Sequence, residues 1–144
     1  MRFALPQPYE DLGHTADVGV RVRGATREEA LARLVLAFAA LATGGGEVRA
    51  EREERLRVAG GPDLAGSAVA LLRELLFRLA TDRVVPAACE VMRADADGAE
   101  AIVWFGRRDP DADADGADLK AVTWHAARLA PEGGAWVAQA VFDV

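Results

Sequence analysis

The chain has 144 residues, a formal net charge of −6 and a hydrophobic fraction of 51%. This length predicts one domain with a real core, and the acidic balance argues against stable direct binding to nucleic acid, whose phosphates it would repel. Cys89 is the only cysteine, which excludes an internal disulfide. Because no apolar stretch has the length of a membrane span or a signal-peptide core, we expect a cytoplasmic protein with no membrane partner.

Two segments have the apolar spacing of helices. The first starts at a capping box, in which Thr26 accepts from the backbone N–H of Glu29 and Glu29 accepts from that of Thr26. It ends at the run Gly44-Gly45-Gly46. The second helix starts near Pro62-Asp63 or at Ser67 and ends at Thr81-Asp82. Its apolar stripe consists of Leu72, Leu75, Leu76 and Leu79.

The other periodic segments alternate between apolar and polar residues, as strands do. Strands are predicted at residues 17–23, 47–59, 88–93, 100–105, 119–128 and 135–142. The chain order is therefore strand, helix, strand, helix and then four strands, and the short loops between the last four imply antiparallel pairing. We predict an α+β fold, a single domain over residues 1–144 with two helices packed on a mostly antiparallel or mixed sheet.

An acidic run, Asp111-Ala112-Asp113-Ala114-Asp115-Gly116, matches the start of an EF-hand calcium loop. Position twelve of such a loop needs a bidentate glutamate, and here it is Val122, within a predicted strand. The match therefore fails. We predict a solvated acidic loop between two strands, whose aspartates bind a cation only weakly.

Carboxylates stand at both ends of the chain. Asp17 is the first residue of the first predicted strand, and Asp143 is followed by Val144 with its terminal carboxylate. Oxygen ligands of this kind suit Ca²⁺, Mg²⁺ or Mn²⁺ rather than zinc. The residues alone leave two interpretations open: a cation site, or a surface turn and a frayed chain end. An apolar strand that runs to the last residue argues against fraying.

Lys120 is the only lysine, because the other sixteen of the seventeen Lys and Arg residues are arginines. If residues 119–128 alternate regularly, Lys120 and His125 point to opposite faces of the strand and do not form a catalytic pair. The sequence contains no Ser-His-Asp arrangement, no glycine-rich phosphate loop and no zinc-ligand spacing. These observations indicate a protein that is not itself an enzyme.

Together these runs resemble the archease family. The matching pieces are Tyr9 to Gly19 with His14-Thr15-Ala16-Asp17, Glu28-Glu29-Ala30, the leucine-rich run 71–76, the run 119–125 and the ending 141–144. They follow the family order and cover nearly the whole chain. The sequence departs from the family at Trp124, where tyrosine is typical, and in its looser acidic loop.

The resemblance implies an accessory protein. Archease-like proteins promote GTP-dependent guanylylation and multiple turnover of RtcB-type RNA ligases in tRNA splicing and RNA repair. The resemblance also implies a divalent-cation site on Asp17, Asp143 and Val144, with calcium as the first choice and magnesium or manganese as alternatives. His14, Lys120 and His125 are then the candidates for activating the ligase, and no residue is assigned a catalytic role.

Two other functions stay open. A small metal-dependent phosphatase or nuclease would use Asp17 and Asp143 around a divalent ion. A purely structural interaction module would use the same cation only to staple the C-terminal strand to the domain.

Overall fold

The computed structural model describes residues 1–12 and 17–144, so His14 lies outside the described residues. The described residues form two helices and nine strands. Their order is β1 Phe3–Ala4, β2 Glu10–Asp11, β3 Asp17–Gly24, α1 Arg27–Thr43, β4 Arg52–Ala59, α2 Leu64–Asp82, β5 Val84–Asp95, β6 Gly98–Arg107, β7 Ala121–Val122, β8 Arg128–Glu132 and β9 Ala135–Asp143. Within these ranges, neither helix is long and apolar enough to cross a membrane.

The strands form two sheets instead of the single sheet that the sequence predicts. The first has the order β1-β5-β6-β4, and the second has the order β2-β3-β9-β7, with β8 also paired to β9. All of these pairings are antiparallel. The predicted α+β domain with two helices is confirmed, and the antiparallel alternative is the one that occurs.

Helix α1 lies between the two sheets, in contact with β5 of the first and with β3 and β9 of the second. This position explains why its apolar residues surround the helix instead of forming one stripe. The hydroxyl of Thr26 accepts from the N–H of Glu29 at 3.1 Å, as predicted. The carboxylate of Glu29 accepts from Ala25 instead of Thr26. Gly44 ends the helix with a left-handed φ of 67°.

Helix α2 starts at the earlier of its two predicted positions. The carboxylate of Asp63 accepts from the N–H of Gly66 at 2.9 Å, which caps the first turn. The helix buries Leu71, Leu72 and Leu75 and leaves Phe77 57% exposed. The side-chain cap at Asp63 sets this early start. The sequence pattern alone does not distinguish a start at Asp63 from a start at Ser67.

The predicted strand at residues 119–128 is wrong. It is divided into β7 and β8 by a turn in which the N–H of Ala127 donates to the carbonyl of Trp124 at 3.3 Å. Ala126 has a positive φ of 58°, and its carbonyl accepts from the side chain of Gln139 in β9 at 2.8 Å. Because His125 lies in this turn, the directions of the Lys120 and His125 side chains do not follow from the alternation of a single strand. The two-residue strands β1 and β2 were not predicted, because two residues carry no periodicity.

Cys89 lies on β5 with none of its surface exposed. Burial raises the pKa of its thiol to about 12, and the negative charge of Glu90 contributes to the rise. Because the thiolate is the reactive species, we expect the folded protein to resist modification by a disulfide reagent at about pH 8. Protein unfolded in urea should react at once. Rapid modification of the folded protein would show that β5 opens.

Candidate functional site

Three distant stretches of sequence meet at one end of the second sheet. Asp17, the first residue of β3, lies directly opposite Asp143, the last residue of β9. Asp143 is also the register partner of Ala121 in β7, on the other side of β9. The central strand β9 therefore brings the start of β3 and the lysine-containing run to the same point.

Backbone hydrogen bonds hold the run around Lys120 beside β9. The N–H of Lys120 donates to the carbonyl of Asp143 at 2.8 Å, and the N–H of Thr123 donates to that of Val141 at 3.0 Å. The side chain of Lys120 is exposed. Its position is thus determined by strand pairing, while its ammonium group remains available to a partner molecule.

The two aspartates form an oxygen-rich pair. Residues directly opposite each other on antiparallel strands have their side chains on the same face, with Cβ atoms about 4.5–5.5 Å apart. Asp17 is half-buried and Asp143 is exposed, and Val144, which follows, is 45% exposed. Carboxylate oxygens are the ligands that a hard divalent cation prefers. This donor set is therefore chemically suited to calcium, magnesium or manganese.

Among the described residues, no third side chain completes this donor set. In residues 1–12 and 17–144, no three His, Cys, Asp or Glu side chains are grouped closely enough to hold a metal ion. Within the described residues, a cation at Asp17 and Asp143 would therefore take its other ligands from the main-chain carboxylate of Val144, further backbone oxygens or water. The geometry of such a site would depend on strand pairing, since the backbone must bring these oxygens together.

His125 lies in the turn between β7 and β8 and is exposed. Its carbonyl accepts from the hydroxyl of Thr123 at 3.4 Å. The neighbouring Trp124 is 50% exposed. His125 is thus presented on a loop next to β7, a few residues beyond Lys120, and no contact joins the two side chains.

Arg73 of α2 is a contact of this loop that sequence reasoning missed. Its guanidinium donates to the carbonyl of Val122 at 3.2 Å and lies over the ring of Trp124, 5.3 Å from the centroid. A Cβ atom on Gly61 would lie 2.9 Å from the Trp124 ring. Trp124 therefore lies close to Arg73 and Gly61, and the departure of Trp124 from the family tyrosine is the only sequence signal at this position.

The acidic loop is not fully solvated, contrary to the prediction. Asp113 is only 1% exposed, and its carboxylate accepts from the N–H of Asp109 at 2.8 Å. The loop packs on the C-terminal end of α1, where the N–H of Ala117 donates to the carbonyl of Leu41 at 2.8 Å. The loop packs there because the last carbonyl groups of a helix have no hydrogen-bond partner within the helix, and the loop supplies N–H donors to them.

The fold and this strand end define a small α+β protein in which one sheet presents facing carboxylates beside a lysine. Residues 9–144 match the family model described as the Archease protein family. Protein archease of Methanopyrus kandleri is 31% identical over 140 residues, covering 95% of this chain and 99% of that protein. Protein archease of Methanosarcina mazei is 30% identical over 140 residues, covering 94% and 95%. The chain belongs to the archease family.

Solved structures agree with this assignment. The solution structure of Methanobacterium thermoautotrophicum protein 1598 has a TM-score of 0.71 at 25% identity, covering 94% of this chain and 98% of that one. The crystal structure of an archease from Thermotoga maritima, described as a possible chaperone, has a TM-score of 0.59 at 17% identity, covering 99% of each chain. This second likeness concerns the fold alone.

Proposed function

We propose that this protein is an accessory factor that promotes GTP-dependent guanylylation and multiple turnover of an RtcB-type RNA ligase in tRNA splicing or RNA repair. Membership of the archease family supports the proposal. The observation that carries it is the meeting of Asp17, Asp143 and the Lys120 run at one end of the second sheet. The protein itself performs no chemical step in this function.

Asp17, Asp143 and the main-chain carboxylate of Val144 would hold a divalent cation, with calcium first and magnesium or manganese as alternatives. Such a cation supplies a fixed positive charge that compensates the facing carboxylates. The pairing of β3 with β9 supports this role, because it positions both aspartates before any ion arrives. The cation would in turn hold the ends of these strands in register.

Lys120 would contact the ligase or its nucleotide. Its ammonium is compact and strongly hydrated, and it suits a phosphate or a carboxylate as a point charge. Accurate placement of positive charge is the main contribution that proteins make to phosphoryl transfer. The hydrogen bond from Lys120 N–H to Asp143 couples the lysine to the proposed cation site. His125 is exposed on the following turn, and it and His14 are the further candidates for contact with the ligase.

The test uses a purified RtcB-type ligase from the same cell, GTP and a broken RNA, with and without this protein. We expect an increase in the guanylylated fraction of the ligase and a change from single to multiple turnover. Lys120→Ala should lose most of the stimulation, whereas Arg128→Ala, which removes an exposed cation from β8 of the same sheet, should retain it. Absence of stimulation by the unaltered protein would refute the proposal.

Lys120→Arg separates two roles for the lysine. If the ammonium must fit a small space on the ligase, the bulkier planar guanidinium should stimulate poorly. Full stimulation by Lys120→Arg would show that any fixed cation is enough at this position.

A metal-stapled interaction module is the second candidate, and the direct opposition of Asp17 and Asp143 favours it, since a cation there would tie two strands together. Asp143→Asn would then lower the melting temperature in calcium while leaving ligase stimulation unchanged. Phosphatase or nuclease turnover by this protein alone, lost in Asp17→Asn, would instead indicate a metal-dependent hydrolase.

A further inference from the structure

An arginine cluster lies where α2 ends and where β6 ends. Arg83 follows the last residue of α2, Arg107 is the last residue of β6, and Arg108 comes next. Val84 and Arg107 are register partners, and the N–H of Arg108 donates to the carbonyl of Arg83 at 2.9 Å. Regular strand pairing therefore holds the three backbone positions together.

These three arginines line a cavity of about 340 Å³ together with Asp82 and Pro110. Asp82 is the only acidic residue of this lining, and its carboxylate lies 3.7 Å from a guanidinium nitrogen of Arg52. Three arginines and one aspartate therefore line the cavity, and the carboxylate of that aspartate also lies near Arg52. The cavity carries an excess of positive charge in a chain whose net charge is −6.

Two of the three guanidinium groups have no partner among the described residues. Arg108 donates to the carbonyl of Ala42 at 3.3 Å and to that of Asp113 at 3.4 Å, which holds its side chain in place. The side chains of Arg83 and Arg107 are exposed and make no hydrogen bond or ion pair within the part of the chain that the structure describes. Both residues line the cavity.

Arg83 also occupies a backbone position that favours glycine. It ends α2 in the left-handed conformation, with φ 57° and ψ 40°, where a side chain is strained. Residues held in such conformations occur preferentially at binding sites. Attraction between the guanidinium and the C-terminal end of α2 offsets part of the strain, and the same group lines the cavity.

We propose that Arg83, Arg107 and Arg108 form a binding site for a small polyphosphate, such as pyrophosphate or the phosphate chain of a nucleotide. Guanidinium groups bind phosphate oxygens through pairs of parallel N–H donors. The cavity volume of about 340 Å³ is within the range of small-molecule sites, about 300–1,000 Å³. A polyphosphate fits better than a nucleic acid strand, whose further phosphates would extend over an acidic surface.

The site is separate from Asp17 and Asp143 and would exist whether or not the protein acts on an RNA ligase. Isothermal titration of the full chain at low ionic strength tests it, with pyrophosphate, orthophosphate and ATP as ligands. We expect one pyrophosphate per chain, tighter binding than for orthophosphate because more oxygens reach the guanidinium groups, and weaker binding as sodium chloride is added.

Arg107→Gln should weaken pyrophosphate binding about tenfold, the loss that corresponds to one charge-assisted hydrogen bond. Arg83→Gly is the sharper variant, because glycine suits the left-handed position. It should weaken binding about tenfold as well, while the melting temperature stays the same or rises. Arg57→Gln is the matched control, since it removes a guanidinium from an exposed position on β4 and should leave binding unchanged.

Three results would overturn the proposal. The first is no measurable binding of pyrophosphate at low ionic strength. The second is an equal loss in Arg57→Gln, which would indicate nonspecific attraction. The third is an RNA oligonucleotide without terminal phosphates that binds more tightly than pyrophosphate and displaces it, which would identify a nucleic acid surface instead.

Discussion

Replacing Asp143 by asparagine should lower the melting temperature of the protein in calcium and raise it in a chelator. Without a cation, the carboxylates of Asp17 and Asp143 are directly opposite on neighbouring strands, and relief of like-charge repulsion there contributes about 0.2–1 kcal/mol. With calcium at a hundred times its dissociation constant, the unaltered protein gains about 2.7 kcal/mol. The variant should lose most of that gain, because it lacks one of the proposed ligands.

Thermal unfolding followed by circular dichroism, with calcium and with a chelator, measures both changes. Asp111→Asn is a suitable control, since it removes an exposed carboxylate from the acidic loop and should respond alike in both buffers. Extending the chain beyond Val144 by one glycine moves the terminal carboxylate while keeping both aspartates. That variant should lose calcium stabilisation without gaining stability in the chelator. An Asp143→Asn shift of the same sign in both buffers would contradict the cation site.

Replacing Phe142 by alanine should lower the free energy of unfolding by about 3–5 kcal/mol. Phe142 has none of its surface exposed, and its ring centroid lies 5.9 Å from that of Phe38 in α1. The substitution leaves a cavity between β9 and α1 that neighbouring side chains fill only in part. Urea unfolding measures the loss as a lower midpoint.

The position of Phe142 also links the core to the proposed site. It immediately precedes Asp143, so loosening the end of β9 should weaken cation binding as well as stability. Phe142→Leu should lose less of both, since it keeps most of the apolar volume. Phe77→Ala, at a position 57% exposed on α2, should change the free energy of unfolding by less than about 1 kcal/mol. Equal losses at Phe142 and Phe77 would mean that β9 does not anchor the core.

The helices were predicted well because their signals are local. The capping hydroxyl of Thr26 and the left-handed Gly44 lie at the ends of α1, where the sequence places them. The break within residues 119–128 was missed because its cause is distant: Gln139 of β9 donates to the carbonyl of Ala126 and supports a turn that alternation does not predict. Asp113 was placed in solvent for the same reason, since the end of α1 that covers it is remote in sequence.

For the candidate site, too, the sequence predicted individual residues, and only the structure showed how they are brought together. The residues themselves singled out Asp17, Asp143 and Lys120, and the family resemblance assigned them to one function. Neither showed that β9 is the strand that joins them. Of the arginine cluster, the sequence shows only the adjacent pair Arg107 and Arg108, which the neighbouring aspartates make a poor basic patch. Arg83 joins this pair only when the start of β5 pairs with the end of β6.

The sequence by itself determined the two helices, the α+β class and the archease family. Only the tertiary structure decided that there are two sheets, which strands adjoin β9 and where the scattered charges meet. The physical reason is the range of the backbone hydrogen bonds. Helical hydrogen bonds join residues four apart, so a short segment of sequence contains the signals that predict a helix. Strand bonds join residues that can be any distance apart, and the choice among partners is made by the packing of the whole core.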